Sequence, residues 1–185
     1  LRLDVAWWRR HVTEYADPNV FVGTTIIFPN AVAEGRAQGV DARLEIAPRG
    51  SWSGYANVSV GKVTQVGPIT GGLFLDDDVA DIGPGDEFTP DHDQRVALSG
   101  GLTWTGRRGL SISAVARYES GPPLELDDDV EAEAFAERPG SELVDLDRGR
   151  VGPRTLVSVL ADVKWFETTR AAVSLRGAVL NLFGE

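Results

Sequence analysis

Seven times along this chain, apolar and polar residues alternate with a period of two, the spacing of a strand whose two faces meet different surroundings. Leu1, Leu3, Val5 and Trp7 alternate with Arg2, Asp4, Ala6 and Trp8. The pattern returns from Val40 to Ile46, Trp52 to Val60, Val96 to Trp104, Leu110 to Tyr118, Val157 to Trp165 and Ala171 to Val179. Helical periodicity is weak throughout. The chain is therefore expected to be all-β, and 185 residues suffice for one domain.

The connections carry more information than the strands. Pro48-Arg49-Gly50-Ser51, Gly106-Arg107-Arg108-Gly109 and Phe166-Glu167-Thr168-Thr169 read as tight turns. Between them lie three long segments: Val12 to Glu34, the stretch up to Asp93, and the stretch ending near Pro153. In an antiparallel meander this order puts every long loop at one end and every tight turn at the other. Strands of roughly ten residues with such an asymmetry fit a transmembrane β-barrel, with long outer loops and short periplasmic turns. Trp52, Trp104 and Trp165 fall beside tight turns, whereas Trp7 and Tyr118 fall beside long loops, as two interfacial girdles require. The expected fold is an antiparallel transmembrane β-barrel segment of about seven up-and-down strands. A soluble, secreted β-sandwich binding module is the alternative.

Charge is concentrated in the long segments. Asp76 to Asp91 holds seven carboxylates and no base; Glu119 to Asp147 holds eleven against Arg138 alone. The rest of the chain has 10 acids and 17 bases, so the net charge of −10 belongs to the loops. Such stretches read as solvated outer loops. An acidic chain of this kind gives no footprint for nucleic acid. Without cysteine there is no disulfide, thiolate metal site or cysteine nucleophile. No apolar run reaches the roughly 20 residues of a membrane helix. The absence of Met leads us to expect a processed product or a fragment.

Several phrases occur in a particular order: NAVAEGRAQGVDARLEI from Asn30 to Ile46, WSGY from Trp52, FTPDHDQR from Phe88, RYESGP from Arg117, VGPR from Val151 and Asn181-Leu182-Phe183. Together they resemble the C-terminal barrel portion of TonB-dependent outer-membrane receptors, over about Asn30 to Phe183. The resemblance implies a barrel of about 22 strands with a plugged lumen. It also implies active uptake of a scarce ligand of the siderophore-iron, cobalamin or oligosaccharide class. The expected partners are outer-membrane lipid, the rest of the barrel and its plug, an inner-membrane TonB complex reached through a missing N-terminal part, and a small-molecule ligand. The expected location is the outer membrane of a Gram-negative-type bacterium. Residues 1–185 are then part of one barrel domain, without plug or closing strand. A diffusion porin is a further alternative.

If the apolar face meets lipid, the polar face lines the lumen, and Arg43, Glu45, Tyr55, Asn57, Arg95, Arg117 and Glu119 are the candidate ligand contacts. Packing against a plug is the competing role for the same side chains. His92 between Asp91 and Asp93 has metal-binding chemistry. The favoured reading is a strand start whose Asp side chains accept backbone N–H groups. His11 has no evident partner. The triplets Asp76-Asp77-Asp78 and Asp127-Asp128-Asp129 lack the spacing of a Ca²⁺ loop. No catalytic or cofactor motif is present, so we expect neither an enzyme nor a bound cofactor.

Overall fold

The computed structural model describes residues 1–20, 27–71, 82–124 and 135–184. The triplets Asp76-Asp77-Asp78 and Asp127-Asp128-Asp129 lie outside the described residues. In chain order the strands are β1 (Arg2–Val20), β2 (Ile27–Arg49), β3 (Trp52–Gly71), β4 (Glu87–Phe88), β5 (Val96–Thr105), β6 (Leu110–Glu119), β7 (Val144–Asp145), β8 (Arg150–Val151), β9 (Arg154–Glu167) and β10 (Ala172–Val179). The seven long strands form one antiparallel sheet in the order β1-β2-β3-β5-β6-β9-β10, with β4 added against β3; β7 and β8 pair separately. The sheet is open, with β1 and β10 at its edges. The expected strand number and up-and-down order are observed.

Register explains the alternation. Leu3, Leu44, Ala56, Gly100, Ala116 and Val157 lie side by side across six strands, and Val5, Ala42, Val58, Leu98, Tyr118 and Thr155 form another such row on the same face. Between them runs a row from the opposite face: Asp4, Arg43, Asn57, Ser99, Arg117 and Leu156. A one-residue slip in any strand would reverse its faces, so the alternation holds the register. The turn between β2 and β3 uses Gly50 at φ +63°, a left-handed conformation that glycine adopts without a Cβ clash.

One expectation is corrected. Val12 to Glu34 is largely strand rather than loop: β1 runs on to Val20 and β2 begins at Ile27, in continuous antiparallel register apart from a break beside Glu14. Glu14 has φ +49° and no partner in the ladder, which passes from Thr13↔Glu34 to Tyr15↔Val32. Glu14 and the residue opposite it, Ala33, are both left out of the pairing, so no residue is inserted and the register is the same on either side of the break. Pro18 and Pro29 face one another beyond the reach of β3, where β2 is locally an edge and a missing N–H breaks no second ladder. The three strands of this hairpin extension are 19, 23 and 20 residues long, about twice the expected length.

The buried side chains do not lie between layers of the sheet. Among the described residues, the buried apolar side chains besides Pro90 are Val32 and Val66, and the buried polar ones Gln65 and Asp93. All of them sit at the end of the long connections, where the segment 82–95 folds back over β3. Gly67 N–H donates to the Asp86 carbonyl at 2.9 Å, and β4 pairs with Gln65 and Val66. The apolar face of the long sheet is uncovered: Leu3, Val5, Trp7, Trp52, Leu102 and Leu175 are all exposed. No helix among the described residues is long and apolar enough to cross a membrane, which has no bearing on crossing by strands.

Candidate functional site

The polar face gathers most of the residues singled out from the sequence. Arg43, Asn57 and Arg117 share one row; Glu45 and Tyr55 are paired in the next; Glu119 lies in the row on the other side, with Asp41, Ser59 and Ala97. A groove of about 510 Å³ crosses this face, lined among others by Asp4, Asp41, Arg43, Asn57, Ser99 and Arg117. Asn57 Nδ2 donates to Ser99 Oγ at 3.2 Å and Ser59 Oγ to Asp41 Oδ1 at 2.7 Å, tying β2, β3 and β5 together. Arg117 is ion-paired with Glu119 on the same strand. Arg43 and Glu45 form no ion pair among the described residues; Arg43 lines the groove, and Glu45 is exposed on the same face beside it.

Two aromatic rings lie flat on the same face, and glycine makes room for them. A Cβ on Gly39 would stand 2.6 Å from Trp8 Cζ2, and one on Gly101 would stand 2.7 Å from Tyr55 Cε1. Trp8 also reaches toward Gly61, the cross-strand neighbour of Gly39. Each ring spans a bare stretch of backbone that carries no side chain of its own. Alternation alone puts Trp8 on the face of Arg2 and Asp4 and says nothing of what it covers. Its signal was the register, which sets Trp8 against Gly39, and Gly39 against Gly61.

Arg95 belongs elsewhere. It sits on the loop side of β5 with its Nε on Asp93 Oδ2. Asp93 is fully buried and accepts from three sources: Val63 N–H at 2.7 Å on Oδ1, and Arg95 and Arg150 on Oδ2, the latter at 2.7 Å. Arg150 also donates to the carbonyls of Asp93 and Gly121, both at 3.0 Å. Ser120 Oγ accepts Val96 N–H at 2.9 Å, and Gln94 Nε2 donates to the Ser120 carbonyl at 3.1 Å. Three phrases distant in sequence, FTPDHDQR, RYESGP and the arginine just before VGPR, thus meet at one carboxylate. Burial pushes the Asp93 pKa up, but Val63 N–H, Arg95 and Arg150 together outweigh it and hold the carboxyl below its ordinary value. The expectation that an Asp here accepts backbone N–H groups describes Asp93; Arg150 and Ser120 were not anticipated.

His92 Nδ1 lies 3.1 Å from Asp91 Oδ1, both side chains exposed, and His11 Nε2 lies 3.4 Å from Glu34 Oε1. Among the described residues no group of three His, Asp or Glu side chains is arranged to hold a metal ion.

No protein-family model, curated protein or solved structure matches this chain. The site is therefore read from its geometry alone: a groove with mixed charge and aromatic platforms on one face, an uncovered apolar surface on the other, and an ion-paired clamp at one end.

Proposed function

We propose that this chain forms part of the wall of an outer-membrane β-barrel of the TonB-dependent receptor kind, which takes up a scarce small-molecule ligand. The observation that carries the reading is the uncovered apolar face of a single sheet, bounded by aromatic side chains at both ends. Trp52 and Trp104 are cross-strand partners at the tight-turn end, with Trp165 at the same end of β9. Trp7 lies toward the other end, in a row with Val40, Val60 and Val96. From Trp52 to Val60 the strand covers roughly 26 Å, at about 3.3 Å per residue, or roughly 20 Å of height at a tilt of about 40°, most of a barrel's apolar band of about 25 Å. A β-sandwich needs a second layer over such a face, and among the described residues the second sheet is only the two-residue pair β7–β8. On this reading lipid meets the apolar face, and the polar groove opens to the lumen. Arg43, Glu45, Tyr55, Asn57, Arg117 and Glu119 there meet ligand or plug.

The test is fractionation of the full-length protein in its host. A heat-modifiable, β-rich species in the outer-membrane fraction supports the reading, and a detergent-free soluble species overturns it. Loss of growth on a particular iron, cobalamin or glycan source after gene deletion would then name the ligand class. Uptake that persists without TonB energy would favour a diffusion porin.

A further inference from the structure

On the outward face the apolar surface ends abruptly. One step beyond the row of Trp7, Val40 and Val60, the same face carries Arg9, Gln38 and Lys62, paired side by side across β1, β2 and β3. Arg9 and Lys62 are exposed and have no acidic partner among the described residues. The nearest acid on this face, Glu34, is held by Arg36 and His11, and Arg36 also holds Glu87. A groove of about 500 Å³ joins the two zones, lined by Trp7, Val40 and Val60 on the apolar side and by Gln38 and Lys62 on the polar side. Two strand spacings set the backbones of Arg9 and Lys62 roughly 10 Å apart, within reach of one phosphate for two long, flexible side chains.

We infer that Arg9 and Lys62, with Gln38 between them, form a binding site for the phosphate of a membrane lipid headgroup whose acyl chain lies along Trp7, Val40 and Val60. The inference rests on the membrane reading above and adds a specific lipid contact to it. Cations just beyond an apolar band attract anionic headgroups, and aromatic rings favour the same depth. The groove is apolar at Trp7, Val40 and Val60 and carries Gln38, Lys62 and Arg95 beyond them, with Arg9 next to Gln38 on β1, which matches a phosphate-bearing lipid better than a free anion.

The test uses the full-length protein in phosphatidylcholine vesicles containing a minor fraction of phosphatidylglycerol. Bound lipids are counted by native mass spectrometry, and tryptophan quenching by brominated acyl chains reports insertion separately. The expected result is about a tenfold enrichment of phosphatidylglycerol on the protein at low salt, weakened at high salt. The enrichment should be lost in the double variant R9Q/K62Q and kept in R49Q/R170Q, which removes two cations from the tight-turn end. Quenching without enrichment, or enrichment unchanged in R9Q/K62Q, overturns the inference and leaves the membrane reading standing. Complete displacement by millimolar inorganic phosphate would make this a free-anion site and overturn it too. Absence of quenching overturns both.

Discussion

A single carboxylate organises the end of the molecule where the long connections meet. Asp93 is fully buried, with two guanidinium groups and a backbone N–H on its oxygens. Asp93→Asn would leave Arg95 and Arg150 facing an uncharged amide, and breaking a buried pair from one side costs about 3–5 kcal/mol. We expect the segments around Gly121 and Arg150 to lose protection from proteolysis while the sheet stays intact. Because the folded pKa is lowered, the contribution of Asp93 is complete above about pH 5. It declines as pH falls through the unfolded value near 3.9 and is gone below the folded one. Cleavage by pepsin at 121–124 and 143–152 should therefore rise as the pH drops through that range. In Asp93→Asn it should be high already at pH 5. Gly121 provides a second test: a Cβ there would fall on the Val151 carbonyl oxygen, so Gly121→Ala should release the same segments without changing any charge. Of this cluster the sequence disclosed only Asp93 and its preference for backbone N–H groups. Arg150 stands 57 positions away, and no local pattern records a partner at that distance.

At the scale of strands, alternation was legible wherever the two faces have unlike surroundings, and it failed where they do not. All seven long strands match the segments expected from period-two patterning, with Leu1 and Ala171 each one residue outside. The extension from Val12 to Val20 and from Ile27 to Glu34 carries no period-two alternation of apolar and polar residues, and its pairing is interrupted at Glu14, whose φ is +49°. Pro18 and Pro29 also read as strand breakers, although both lie where a proline is tolerated. The turn between β9 and β10 was recognisable for the opposite reason, since its chemistry is local. Thr168 Oγ1 accepts the Ala171 N–H at 3.1 Å and the Arg170 N–H at 3.4 Å, and Thr168 N–H donates to the Ala171 carbonyl at 2.7 Å. Thr168→Val keeps the shape and removes the acceptor, a loss of about 1 kcal/mol. Amide exchange over Ala172–Val179 should accelerate about fivefold, and Thr168→Ser should restore it.

For the whole molecule, the two faces of the sheet make opposite demands on the same substitution. Leu44 lies midway between the aromatic side chains of the apolar face, in the row of Leu3 and Ala56, whereas Asn57 lies one row away on the polar face beside Arg43 and Ser99. If the apolar face meets lipid, Leu44→Arg places a cation near the middle of the hydrocarbon layer, at a cost of about 2–4 kcal/mol. Asn57→Arg adds the same charge to a hydrated wall and costs little beyond the Ser99 hydrogen bond. Reconstituted into vesicles and titrated with denaturant, the full-length Leu44→Arg protein should unfold earlier by that amount, and its heat-modifiable band should diminish. Asn57→Arg should insert normally and show any defect in ligand uptake instead. A soluble protein that buried both faces against further layers would lose stability with either substitution. Equal damage at the two positions would therefore count against a lipid-facing sheet, however well its strand order and turn placement resemble a barrel wall.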